Sequence, residues 1–334
     1  MQDNKLGIIL GNTGTPASPK PDDVEAYLRK FLMDPYIRPL PKFFWKYLLN
    51  NKILPKRKYA SGAKYEEIWT PQGSPLVIYQ GNLATKLEKA IHTLAENGKA
   101  PSGVLVRSAM SYSEPSFDTV LKEFKEKGIS EIILIPLYPQ SNFSSTMAVV
   151  DMFHQTLEPM QWNPNVQIID HYYQHHEYVD AIVSSIRHAG FDPSSNDRLM
   201  MTFHSIPLKD IKHGDTYPEQ TDQTHIAVAE KLGMKPEEIG YGYQSVFGGH
   251  PEQWLGPLTR DILASWADQQ FGRVFFILPG FSIDCLETIY DVNHDFTSVL
   301  QQGESKHEVT RIPCLNDSDD HVKIMLAALK SYFD

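Results

Sequence analysis

Apolar residues along this chain fall into two alternating patterns: short apolar or β-branched runs, and longer stretches with a single apolar face. The segments at 6–10, 103–106, 131–137, 166–172, 199–203, 239–244, 273–278 and 309–312 are rich in apolar and β-branched residues, as strands are. Between them, 81–96, 116–127, 178–189, 219–232, 257–270 and 317–332 repeat apolar positions every three or four residues, as helices with one buried side do. Strand and helix in turn predict parallel sheets wound by helices on both faces. The strands divide near residues 160–165 into groups of about four, and 334 residues are enough for two cores. The expectation is an α/β chain of two Rossmann-like, doubly wound parallel-sheet domains facing a central cleft. Their expected bounds are 1–163 and 164–334, with the last helix packing back on the first domain.

One segment breaks the alternation. Between 36 and 64 stand eight basic residues, Arg38, Lys42, Lys46, Lys52, Lys56, Arg57, Lys58 and Lys64, and no acid. Phe43, Phe44, Trp45, Tyr47, Leu48, Leu49, Ile53 and Leu54 are interleaved with them. In a chain of net charge −10 this local reversal suits the headgroup boundary of an anionic membrane, or a pocket for an apolar ligand bearing carboxylates. A helical hairpin with solvated lysines is the plain alternative.

Bulk composition excludes more than it selects. With 41% hydrophobic and 22% charged residues the chain reads as an ordinary globular protein. Its negative charge argues against a general nucleic-acid binder. The two cysteines, Cys285 and Cys314, provide neither a disulfide framework nor zinc-finger spacing. No secretory signal follows Met1, and no apolar run reaches spanning length, so a cytoplasmic location is the default, with peripheral attachment at the inner face of the membrane if the basic aromatic segment is a membrane contact. Oligomeric state is not legible.

Candidate chemistry gathers at two strand ends. His204 stands where the apolar run 199–203 stops, and Pro207 breaks the chain soon after. Ligands collect outside the carboxyl ends of strands in open α/β sheets, and imidazole exchanges protons near neutral pH. A lone strand-end histidine is still more often a hydrogen-bonded core residue. The second segment alters that weighing. After the run ending at Leu278, Asp284, Glu287 and Asp291 recur at spacings of three and four, so a helix there would put them on one face.

At these residues the chain resembles ferrochelatase, the enzyme that inserts ferrous iron into a porphyrin. The matching pieces include Asn12-Thr13-Gly14-Thr15-Pro16, Gly73-Ser74-Pro75-Leu76, Pro136-Leu137-Tyr138-Pro139-Gln140, His204-Ser205-Ile206-Pro207, Tyr243-Gln244-Ser245, Trp254-Leu255-Gly256-Pro257 and the acidic segment from Asp284 to Asp291. Their order and spacing, nearly end to end, are more specific than any one of them. The resemblance implies that His204 lies opposite the porphyrin centre, accepting a pyrrole proton or holding the entering metal. It implies Glu287 beside His204 as a second proton or metal ligand, with Asp291 next along the face. Thr13, Tyr65 and Tyr138 would lie across the ring, Ser74 at a propionate, and Trp254 would offer a flat apolar surface. Iron is then a substrate and no resident cofactor is needed; two cysteines are too few for the iron–sulfur cluster some relatives carry.

Departures from the family pattern are informative as well. Ser111 stands where related enzymes usually have Arg, which removes a guanidinium that could pair with a propionate. Cys285 replaces a histidine of some relatives, and reads best as a small buried hydrophobe. Thr13 and the long basic insert favour protoporphyrin IX over coproporphyrin III. The rivals are a coproporphyrin ferrochelatase, a cobalt chelatase, and a non-catalytic tetrapyrrole or metal carrier. A dinucleotide oxidoreductase would want Gly-x-Gly-x-x-Gly after the first strand, and Gly11-Asn12-Thr13-Gly14 lacks that spacing.

Overall fold

The computed structural model describes residues 5–246, 250–303 and 305–333. Its chain divides into two units, the first made of residues 1–138, 143–171 and 317–334, the second of 139–142 and 172–316. Each unit is built on a parallel sheet of four strands.

In the first unit, β1 (Leu6–Asn12) is buried along its whole length, as its run of Leu, Ile and Gly requires. It lies between β2 (Leu105–Met110) and β3 (Glu131–Pro136), and β4 (Asn165–Ile168) pairs with β3 at the edge. The expected division at 163 is therefore corrected. The strand following it bonds to β3 through pairs such as Glu131 with Asn165, so it completes the first sheet, and the chain passes to the second unit only after His171. That strand also stops at Ile168 rather than running to 172.

Helices α1 (Pro21–Leu32), α2 (Lys42–Leu48), α3 (Leu54–Ile68), α4 (Pro75–Glu96), α5 (Phe117–Glu126) and α6 (Ala148–Leu157) belong to this unit. Helix α5 shows how local sequence sets the packing. Ser116 caps it by accepting from the Thr119 amide, and Val120, Leu121 and Phe124 recur at helical spacing on its buried side. They meet Ile9, Ile132 and Phe153 in one apolar cluster. A β-carbon at Gly7 of β1 would lie 2.4 Å from the Phe124 ring, so glycine is what lets strand and helix approach. Helix α4 starts six residues before its expected position because Pro75 occupies its first turn.

The second unit repeats the plan, with β5 (Arg198–His204) between β6 (Gly240–Gln244) and β7 (Val274–Ile277), and β8 (Val309–Arg311) beside β7. Helices α7 (His176–His188), α8 (Leu208–Lys212), α9 (Tyr217–Leu232) and α10 (Thr259–Trp266) accompany it. A further helix, α11 (Leu286–Tyr290), runs through a wider π-type stretch, Asp291–Phe296, into α12 (Thr297–Leu300). The final helix, α13 (Asp319–Leu329), belongs to the first unit; the Asp317 carboxylate at its start accepts from Asn82 of α4 at 3.0 Å. No helix among the described residues is long and apolar enough to cross a membrane.

Candidate active site

Strand order fixes where each unit can hold a ligand. In both sheets the first strand has the second on one side and the third on the other. Chain connections therefore leave the first strand in opposite directions, and a crevice opens at its carboxyl end. In the first unit this point lies between β1 and β3; in the second it lies between β5 and β7.

The β1 end carries Asn12 and Thr13, and the β3 end carries Tyr138. The Tyr138 hydroxyl donates to Asn12 Oδ1 at 2.8 Å and lies 3.2 Å from the Thr13 amide nitrogen and 3.1 Å from its hydroxyl. Two of the expected substrate contacts, Thr13 and Tyr138, are thus joined in one network. Gly14 has φ +103°, and a β-carbon there would lie 2.3 Å from Ser113 Oγ, so this turn requires glycine. Ser74 is buried just before α4, its hydroxyl donating to Thr15 at 3.2 Å. Tyr65 is buried in α3, edge-on to Trp69. Ser111 lies directly beside the β1 turn, its amide donating to Asn12 O at 2.9 Å. Its buried hydroxyl has no hydrogen-bond partner among the described residues.

Close by, Asp34 accepts from the Tyr112 hydroxyl at 2.9 Å and from the Tyr36 amide at 2.8 Å. Burial is the main reason its carboxyl titrates above the usual range. This pair carries no signal in the sequence, because its members are 78 residues apart.

At the second crevice β7 stops at Ile277, opposite Met201, so β5 runs three residues past it, paired only with β6, and ends at His204. The His204 Nδ1 lies 2.6 Å from the Ser205 carbonyl oxygen. A carbonyl can only accept, so Nδ1 carries the hydrogen and Nε2 keeps its lone pair for a proton or a metal. The chain beyond His204 is held firmly. Ser205 donates its amide to Gln244 O and its hydroxyl to Leu255 O, both at 2.8 Å, and Pro207 bridges to Trp254. Trp254 is thereby fixed, half-buried, beside the histidine segment.

Glu287 lies in the first turn of α11, where the helix dipole favours a carboxylate. Two links tie it down. Gln244, which pairs with His204 across β5 and β6, reaches the Glu287 carbonyl with its side-chain amide at 3.4 Å. The Cys285 thiol donates to Glu287 Oε2 at 3.2 Å. Asp291, one turn on, accepts from Ser245 at 3.2 Å and lines an open cavity of about 750 Å³ with Gln244, Arg260 and Asp295. Ser245 sits in the left-handed region at φ 65°, rare for serine.

Asp284 corrects the expectation of a shared acidic face. The helix begins only at Leu286, and Asp284 lies before it, buried and bonded to Arg311 at 2.9 Å, Asn316 at 2.8 Å and Thr288 at 2.8 Å. It anchors the segment, while Glu287 and Asp291 share a face. Cys285 likewise proves to be a hydrogen-bonding group, its thiol pushed well up chiefly by burial. Among the described residues no cluster of three or more histidine, cysteine, aspartate and glutamate groups has the arrangement to hold a metal ion.

Two parallel sheets, each opening at its switch point, are an arrangement that this chain shares with solved chelatase structures. The structure of SirB from Bacillus subtilis with Fe3+ superposes with a TM-score of 0.56 at 11% identity, over 78% of this chain and 92% of that one. DR2241 from Deinococcus radiodurans, described as structurally similar to chelatases, gives a TM-score of 0.52 at 9% identity, over 97% of this chain and 54% of that one. Sequence comparison is more specific. The profile of the family described as Ferrochelatase matches residues 5–332. Proteins named Ferrochelatase from Actinobacillus pleuropneumoniae serotype 7 (strain AP76) and Vibrio cholerae serotype O1 are 35% and 34% identical, covering 99% and 98% of both chains. One from Haemophilus influenzae (strain PittEE) is 36% identical over 96% of both. The chain belongs to the ferrochelatase family. It is a metal chelatase, a lyase that takes iron and a porphyrin as substrates in haem biosynthesis.

Proposed function

We propose that the protein inserts ferrous iron into protoporphyrin IX to give protohaem, with His204 and Glu287 carrying the chemistry. Insertion forms four bonds from nitrogen to iron and releases two protons from the pyrrole nitrogens. The reaction needs a base with an available lone pair and a carboxylate to pass the charge on. His204 Nε2 is that base: the 2.6 Å contact from Nδ1 to the Ser205 carbonyl, which fixes the tautomer, is the observation that carries the assignment. Glu287 offsets the transient imidazolium and passes protons outward, with Asp291 next in line. The same two side chains give the entering iron nitrogen and oxygen ligands. Thr13, Tyr65, Ser74, Tyr138 and Trp254 are assigned as porphyrin contacts. Iron is consumed as substrate, and no resident cofactor is invoked.

The exposed rings of Phe43, Phe44 and Tyr47 on α2, set among lysines, are assigned to the surface of an anionic membrane. The protein accordingly works at the inner face of the membrane.

Anaerobic chelation followed by the Soret band tests the chemistry. His204→Ala should lose turnover by about 10²- to 10⁴-fold while still binding porphyrin. Near-normal turnover in that variant would remove His204 from its role. A competition between protoporphyrin and coproporphyrin decides the substrate; preference for coproporphyrin would overturn the choice of protoporphyrin.

A further inference from the structure

We infer that Cys285 is a positioning residue for chelation, its thiol holding the Glu287 carboxylate in one orientation through the bond from Sγ to Oε2. The inference rests on the assignment of Glu287 above. Cys285 occupies the cap position of α11 in an extended conformation (φ −142°, ψ −168°), so its side chain turns back over the first helical turn. There it does two things at once. Its sulfur faces the Thr288 amide as the cap acceptor, and its hydrogen is given to Glu287 Oε2 at 3.2 Å. Cys285 gives its own amide to the Thr288 hydroxyl at 3.0 Å, closing the box.

The backbone under this thiol is fixed from the other side. Asp284, the preceding residue, is 3% exposed and bonded to Arg311, Asn316 and Thr288. The Asp284 amide is taken by Asn316 Oδ1 at 2.8 Å. Cys285 therefore cannot drift, and among the described residues the carboxylate it touches has Oε2 bound and Oε1 left to work. A glutamate side chain turns about several bonds and spreads over many rotamers when untethered. A reacting group misplaced by an ångström can cost a hundredfold in rate, so a single weak donor is enough to matter.

The test separates positioning from mere support of the fold. Cys285→Ala removes the donor, and kcat should fall about three- to tenfold with porphyrin KM changed by less than about twofold. Cys285→Ser keeps both a cap acceptor and a donor and should recover most of that loss. If the alanine variant does not fold, Cys285→Asn and Cys285→Asp serve instead. Both cap helices well, but only Asn can donate, so Asn should be the more active by a similar factor. Glu287→Gln is run alongside. If it retains full turnover, the assignment of Glu287 itself fails. If it is inactive while Cys285→Ala matches the parent, or while Ser rescues no better than Ala, the positioning role alone is overturned.

Discussion

Gln244 joins the two halves of the second-unit site: it pairs with His204 across the sheet, and its side-chain amide reaches the Glu287 carbonyl at 3.4 Å. Its other amide atom, Oε1, accepts from Thr202 at 3.2 Å, so the side chain is held at both ends. Strand end and helix start are thereby kept in register by one residue. Gln244→Ala should cut kcat about five- to thirtyfold, the value of one or two ordinary hydrogen bonds, with a smaller effect on porphyrin KM. Steady-state kinetics in both substrates checks this. A proportionate rise in porphyrin KM with unchanged kcat would show that Gln244 serves binding instead.

Asp284 and Arg311 make the buried ion pair that fixes the start of α11, with the carboxylate side chain 4% exposed. Removing the arginine strands a negative charge away from water. Arg311→Ala should therefore destabilise the protein by about 3–5 kcal/mol, measured by urea unfolding at neutral pH. Arg311→Met with Asp284→Asn, which removes both charges, should recover much of that. If the single variant unfolds at the parental midpoint, the pair does not anchor the helix start.

The alternation of apolar runs and amphipathic stretches places all eight strands of the described residues: β1, β3, β5 and β7 are buried on both faces, while the edge strands β4 and β8 are only partly buried and are marked by their β-branched residues. Helices are less legible. Those at 21–32 and 148–157 lie outside the stretches that periodicity marks, and α10 is shorter than the stretch 257–270 suggests. His204 and Glu287 are proposed from their motifs, and the structure adds Gln244, which pairs with the one and reaches the carbonyl of the other. What a sequence does not display is partnership across distance. The bonds from Asp284 to Arg311 and from Tyr112 to Asp34 span 27 and 78 residues, and no local pattern marks either end. Cys285 misleads for a related reason. A thiol looks like a small apolar group until its neighbour's carboxylate is located.

Phe43, Phe44 and Tyr47 are 82%, 68% and 66% exposed on α2, whereas Trp45 between them is buried and donates to Leu32 O. The exposed rings therefore contribute nothing to the core. Replacing all three with Ser should leave the urea midpoint unchanged and weaken binding to phosphatidylserine vesicles by about tenfold or more. Raising salt should weaken the parent too, since lysines supply part of the attraction. Equal pelleting of parent and triple variant with the vesicles would remove the membrane assignment.

His225 lies 6% exposed on α9, stacked on Tyr241 with ring centroids 4.5 Å apart, and its Nε2 has no hydrogen-bond partner among the described residues. Burial, only partly opposed by the charge of Asp222, holds its pKa below the ordinary histidine value. The imidazole is therefore neutral in the fold at pH 7, while the unfolded chain takes up a proton near pH 6.5. The unfolded state binds more protons in that window, so stability rises with pH there. The contribution is complete above about pH 6.5 and is lost as pH falls through the depressed folded value, at up to about 1.4 kcal/mol per pH unit. His225→Phe keeps the aromatic stack and removes the titration. Urea midpoints of the two proteins should converge or cross between pH 7.5 and pH 5.5, the variant gaining on the parent as acid is added. Parallel curves over that range would mean that His225 carries none of the acid sensitivity.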